Sequence, residues 1–291
     1  MKKIGFIFDS FISEQKTELD KKGFGYFPFR CILDEVEYED GIDLEKEELL
    51  HKIDKSKDVK TSLARYSTME EVISKMTKEY DDVLYLPIGQ NLSSSSSTAQ
   101  TFKREFSNFH VFDNGWVGNQ YNYVVDYARR IYEKYQDINV VIEKLVEIKN
   151  KSILFVLPLN INYVINGGRI SSFKKVLLKT VAKLKLKPYI KFYNGSGSTG
   201  GIARGVKSAI NQMLTKTAEF ANVEIKDLNK YYNVDFIYGI DKEFTKQVID
   251  LCEKHGVKFD SQTLNTSTIA IHTGPEAICF SIIPKLKNKE I

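Results

Sequence analysis

Short apolar runs alternate with amphipathic stretches along the first half of the chain. Residues 4–8 and 83–88 are nearly continuous apolar runs bounded by polar residues, the length of a buried strand rather than a helix. Residues 23–32 are aromatic and β-prone, and predict a further extended segment. Residues 43–50 carry acids in the first turn of a helix, and residues 68–80 follow Ser67 or Thr68 as a cap. Residues 100–106 read as a helix after a serine run, and residues 110–115 as a short strand and turn. Residues 118–135 are helical, with Tyr123, Tyr127, Ile131 and Tyr135 about one turn apart. A second helix, 137–149, turns Val140, Val141, Leu145 and Ile148 inward. Strand and helix in alternation predict an α/β protein with a parallel sheet covered on both faces.

The pattern changes near residue 150. Residues 153–157 are a strand, and Asn166-Gly167-Gly168-Arg169-Ile170 breaks the chain before a helix that starts at Ser171 or Ser172 and runs to about Leu184. Residues 189–193 and 194–197 predict a strand and tight turn, 205–220 a helix, 235–240 a strand and 243–255 a helix. Residues 268–272 read as a strand stopped by Thr273-Gly274-Pro275, and 277–283 as the last strand. No repeat is present, and the one low-complexity segment is the serine run.

Composition narrows the function classes. A chain of 291 residues suits one large or two smaller domains. The net charge of +4 is too small an excess to argue for nucleic acid, and the lysines are scattered. Cys31, Cys252 and Cys279 are far apart and form neither metal spacing nor a disulfide framework, which suits a reducing cytosol. The apolar run after Lys3 is too short for a signal peptide, and no stretch approaches the eighteen or so apolar residues of a membrane span. A soluble cytoplasmic product is expected. Gly195-Ser196-Gly197-Ser198-Thr199-Gly200-Gly201 lacks the lysine and strand-to-helix context of a phosphate loop, and reads as a hairpin connection.

The candidate chemistry lies where apolar runs end. Leu92-Ser93-Ser94-Ser95-Ser96-Ser97-Thr98-Ala99 sits between a strand and a helix start. Free N–H groups and rotatable hydroxyls there can hold a carboxylate or phosphate. The same residues also read as an N-cap with a solvated turn. Asp9-Ser10 ends the first strand, where open α/β sheets place ligands, but equally forms a cap or turn. Thr61 and Ser62 are loop polars or hydroxyl donors, and His272 is a packed core histidine or a site residue. His51, His110 and His255 show no metal spacing. A serine with a histidine also suggests a hydrolase or acyltransferase using Ser93 and His272, although no Gly-x-Ser-x-Gly elbow is present.

Taken in order, Asp9-Ser10, Thr61-Ser62, Leu92-Ser93, Gly167-Gly168-Arg169-Ile170, Lys187-Pro188, Arg204 and His272-Thr273-Gly274-Pro275 resemble the DegV family from about residue 4 to residue 283. Departures are Ser94 for a glycine, Ala64 for a proline, Asn114 for a serine and Glu276 for a glycine. The resemblance implies two α/β domains, a parallel-sheet domain over 1–150 and a mixed-sheet domain over 151–287, with a lipid pocket between them. It implies a non-catalytic subunit that binds a long-chain fatty acid, needs no cofactor, and presents the acid to a separate fatty acid kinase. That kinase makes the acyl phosphate for phospholipid synthesis. It implies that Thr61 and Ser93 hold the carboxylate, with Ser62, the Ser94 N–H and His272 in or beside that shell. Gly167, Gly168 and Arg169 would border the pocket mouth, and Arg169 and Arg204 would face the phosphate or the kinase. A transient membrane-surface contact fits this role; nucleic acid does not. A lipid carrier with no kinase partner is the other reading of the same pocket. Neutral donors suit a carboxylate that must be phosphorylated, since a bidentate arginine would hold it as a strong ion pair.

Overall fold

A computed structural model describes residues 2–166 and 186–286. The expected break at Gly167-Gly168-Arg169 and the helix after it lie outside the described residues. The apolar runs form strands β1 (Ile4–Asp9) and β6 (Asp82–Leu86), which lie at the centre of a four-stranded sheet with β2 (Gly25–Phe27) and β7 (Phe109–Val111). Its order is β2-β1-β6-β7 and every pair is parallel. Both faces are covered. Phe6 and Phe8 pack with Tyr121, Val124 and Val125 on one side, and Ile7 with Met69, Ile73 and Tyr85 on the other. Two-sided burial is why these strands are continuous apolar runs rather than alternating ones.

The aromatic segment at 23–32 is two strands, not one. Pro28 has no N–H to donate and interrupts the ladder. β2 ends before it, and β3 (Arg30–Leu33) begins a separate antiparallel sheet of order β4-β3-β5 with β4 (Val36–Glu39) and β5 (Val59–Ser62). Asp34 and Glu35, both at positive φ, make the two-residue β3–β4 turn.

A six-stranded mixed sheet of order β10-β9-β8-β13-β11-β12 follows. Its strands are β8 (Ile153–Leu157), β9 (Lys187–Tyr193), β10 (Ser196–Ala203), β11 (Tyr232–Tyr238), β12 (Ser261–Leu264) and β13 (Ile278–Pro284). Only β11 and β12 pair in parallel. Ile153, Phe155, Leu157, Phe280 and Ile282 form one face with the helices Val206–Ala221 and Lys242–Lys254. Leu154, Val156 and Cys279 point the other way, with Val117, Ile190 and Ile237. This alternation gives the sheet one face for its core and one for a site.

Three local expectations change. Residues 268–272 belong to a helix, Ser267–Thr273, not a strand. Thr266 Oγ1 caps it by accepting the Ile269 N–H at 3.1 Å, Gly274 at φ 96° ends it, and a five-residue apolar run has no period that separates strand from helix. The serine run starts its helix instead of preceding it: the helix is Ser95–Gln100, followed by a 3-10 turn at Thr101–Arg104. Residues 197–201 are strand β10, and the hairpin connection is only Asn194–Gly195, both at positive φ. The helix expected at 118–135 is Gln120–Tyr135; Tyr127 and Ile131 are buried with Tyr121, Val124, Ala128 and Tyr132, Tyr123 packs against that core, and Tyr135 is exposed. Steps of four residues drift around a 3.6-residue helix, which carries Tyr135 out of the core.

The three cysteines are buried and free. Among the described residues no helix is long and apolar enough to cross a membrane, and no group of His, Cys, Asp or Glu side chains is placed to hold a metal ion.

Candidate functional site

Where the three sheets meet lies a cavity with an empty volume of about 1030 Å³, part of it open to solvent. The segments after the C-terminal ends of β1, β6 and β7 reach it, the edge where open parallel sheets collect ligands. They supply Phe11, then Ile88, Gly89, Leu92 and Ser93, then Gly115, Trp116 and Val117. The outward face of the mixed sheet supplies Leu154, Val156, Phe192 and Cys279. Thr61, Ser62 and Leu63 come from the end of β5, and Thr268, Ile269, His272 and Thr273 from the helix Ser267–Thr273. No Lys, Arg, Asp or Glu is among the described residues that line it. The polar lining is hydroxyl, imidazole and backbone.

The hydroxyls are engaged from behind. Thr61 Oγ1 lies 2.9 Å from His272 Nε2. Ser62 Oγ accepts from Arg30 Nη2 at 2.8 Å, while Arg30 Nε donates to the Leu63 carbonyl and Nη1 to Glu37 at 3.0 Å. Arg65 pairs with Glu37 and Glu39, so this arginine–glutamate group stands beside the cavity without entering it. Ser93 Oγ accepts the Ser95 N–H at 3.2 Å.

The opposite wall closes by glycine contact. A methyl on Gly89 would stand 3.2 Å from Asn114 O and from Cα and O of Gly195, and one on Gly115 would stand 3.1 Å from the Gly195 nitrogen. The β9–β10 turn therefore seats directly on the loops after β6 and β7. Asn91 Nδ2 clamps it by donating to Gly195 O at 3.2 Å and Ser196 Oγ at 2.8 Å.

A family model described as an uncharacterised protein, DegV family, matches residues 3–285. The chain belongs to the DegV family. A DegV domain-containing protein of Mycoplasma genitalium is 27% identical over 302 residues, covering 97% of this chain and 99% of that protein. Among solved structures, a stearic-acid-binding protein from Eubacterium ventriosum aligns with TM-score 0.82 and 24% identity over 99% of this chain and 100% of that one. A fatty-acid-binding DegV family protein from Streptococcus agalactiae aligns with TM-score 0.83 and 22% identity over 98% and 100%. The DegV fold, a parallel N-terminal sheet with a mixed C-terminal sheet, is thus shared along the whole length.

Of the residues singled out from the DegV motifs, Thr61, Ser62, Ser93 and His272 line one cavity. Ser94 is exposed and does not line it; its carbonyl accepts from Ser97 Oγ and the Thr98 N–H. Arg204 is exposed just before the helix Val206–Ala221 and is also outside the lining. Gly167, Gly168 and Arg169 lie outside the described residues. Within the serine run Ser93, Ser95 and Ser96 are buried while Ser94 and Ser97 are exposed, so the run is only partly solvated.

Asp9, left open between ligand and cap, is buried behind the cavity. Its Oδ1 accepts the Phe11 N–H at 3.1 Å, and its Oδ2 accepts the Ile88 N–H at 2.8 Å and the Tyr85 hydroxyl at 2.9 Å. Burial pushes its carboxyl up to about 6, against the pull of those donors. Ser10 turns away: its Oγ accepts the Phe29 N–H at 3.0 Å and meets the Tyr26 hydroxyl. No local signal marks Arg30, Tyr85 or the glycine contact, because each acts on a segment distant in the chain.

Proposed function

We propose that this DegV protein binds one long-chain fatty acid in the cavity and presents its carboxylate to a separate fatty acid kinase, which forms the acyl phosphate used in phospholipid synthesis. The protein itself performs no catalytic step. The observation that carries this reading is a largely apolar cavity whose polar lining, among the described residues, contains hydroxyls and an imidazole but no ionic side chain. The walls formed by Leu154, Val156, Phe192 and Cys279 suit an alkyl tail. Roughly fourteen to sixteen buried methylenes contribute about 11–13 kcal/mol, part of which ordering the chain offsets. The head must be hydrogen-bonded, since an unpaired buried carboxylate costs several kcal/mol. Thr61 and Ser93 are assigned to it directly, Ser62 and His272 beside them. With its proton on Nε2, His272 donates to Thr61 Oγ1, which orients that hydroxyl at the cavity where the carboxylate would sit. Two solved structures with the same fold are described as a stearic-acid-binding protein and a fatty-acid-binding DegV family protein, which supports the ligand class.

A serine hydrolase is less well supported. His272 directs Nε2 to Thr61, and Ser93 Oγ receives a backbone N–H. Neither contact makes the histidine a base for the serine.

Native mass spectrometry of protein purified from bacterial cells should show a co-purifying acid. Delipidated protein reloaded with palmitate or oleate should yield hydroxylamine-trapped acyl product only with the kinase and ATP. Loading without that product would leave a carrier with no kinase partner. Failure to take up either acid defeats the proposal, and fluorophosphonate labelling lost in Ser93→Ala would turn it towards the hydrolase.

A further inference from the structure

The carboxyl of Asp9 does not reach the cavity, yet two of its three hydrogen bonds end on the backbone of residues that do, Phe11 and Ile88. The third starts a chain. The Tyr85 hydroxyl donates to Asp9 Oδ2 at 2.9 Å, and Ser95 Oγ lies 2.7 Å from that hydroxyl. Tyrosine has one hydrogen, committed to the carboxylate, so Ser95 must be the donor to Tyr85. Ser95 opens the helix Ser95–Gln100, and its N–H donates to Ser93 Oγ at 3.2 Å. Ser93 Oγ therefore accepts from the backbone of the residue whose hydroxyl is anchored through Tyr85 to Asp9. Asp9, Tyr85, Ser95 and Ser93 are all buried, so water does not compete for these bonds.

We propose that Asp9 is a positioning residue for the head-group site, acting through Tyr85 and Ser95 to hold the Ser93 loop, and with it the Ser93 hydroxyl, in place at the cavity. This rests on the fatty-acid reading for the ligand's identity but not for the loop. The bonded path carries it. An ionised carboxylate is acceptor-only, so the Tyr85 and Ser95 hydroxyls are both directed towards it, and the Ser95 backbone N–H continues the path to Ser93 Oγ. The same carboxylate ties together the turn after β1, the exit of β6 and the serine helix, three segments that meet at the cavity.

Tyr85→Phe tests this by deleting one hydroxyl. The ring stays packed edge-on against Phe27, with centroids 4.8 Å apart, and Asp9 keeps both backbone donors. Two readouts apply. In ligand-free protein, amide exchange at Ser95 should quicken at least tenfold. In delipidated protein, palmitate affinity should fall roughly five- to twentyfold, while hexadecanol, which shares the tail and lacks the charge, stays within about threefold. Asp9→Asn should move both readouts the same way. Unchanged exchange at Ser95 overturns the proposal, and so does an equal loss for acid and alcohol, which would mean general damage to the cavity. If the unmodified protein takes up neither ligand, the fatty-acid reading has failed, and the exchange arm alone decides whether Asp9 holds the loop.

Discussion

Replacing Thr61 by valine removes one hydroxyl and little else. The residue is half-buried on β5, opposite Cys31 of β3, and valine suits a strand at least as well as threonine. In the ligand-free protein the change leaves His272 Nε2 without its contact at 2.9 Å. That imidazole is only partly buried, so water from the open side of the cavity can replace the hydroxyl. The cost in stability should therefore be the ordinary net value of a hydrogen bond, about 0.5–1.5 kcal/mol, for each bond the hydroxyl makes. With an acid bound, that water is displaced and a charge-assisted bond is missing, worth about 1.5–3 kcal/mol. At about 1.4 kcal/mol per tenfold, palmitate should bind about ten- to 150-fold more weakly. Isothermal titration of delipidated Thr61→Val with palmitate measures the loss, and urea unfolding of the same sample without ligand measures the baseline. A palmitate Kd within twofold of the parent would refute the assignment of Thr61 to the carboxylate. A binding loss no larger than the stability loss would refute the reasoning that ligand exclusion of water sets the penalty.

Two further outcomes follow from packing and protonation. Gly89→Ala puts a methyl 3.2 Å from three backbone atoms, so the seam with the β9–β10 turn must open at a cost of about 1–3 kcal/mol, visible as a lowered melting temperature; an unchanged melting temperature would mean that the turn rides loosely on the loop. Burial holds Asp9 at about 6 and Asp235 at about 7, above the ordinary 3.8, so the folded chain binds more protons than the unfolded one between about pH 4 and 7. Stability should fall as pH rises through that window, by up to about 1.4 kcal/mol per pH unit for each group, and then level off. Asp235→Asn, which keeps an acceptor for Tyr123 and Ser261, should flatten the upper part of the curve in urea titrations at pH 5, 6, 7 and 8; identical slopes would refute the assignment.

What could be read along the chain was what a local signal carries. Runs 4–8, 83–88 and 153–157 gave strands because their apolar residues are continuous and short, and the helix at 137–149 repeats its inward residues with helical period. That Thr61, Ser62 and Ser93 should lie near one another was legible from motifs of fixed order along the chain, and all three line the cavity. Errors arose where local signals tie. Residues 268–272 have no period of their own, and only the Thr266 cap and Gly274 decide for helix. Asp34-Glu35 is an unusual pair for a two-residue turn, so the antiparallel sheet of β3, β4 and β5 went unseen.

The sequence alone therefore determined the α/β class, most of the strands, and which residue types could meet a carboxylate, because those depend on side chains a few positions apart. Tertiary structure decided which of them face one cavity and what stands behind them. Thr61 meets His272 across 211 positions, Asp9 meets Tyr85 across 76, and the turn at Gly195 lands on Gly89. A hydrogen bond of about 3 Å between such distant residues exists only once whole sheets have packed, and no spacing along the chain encodes it.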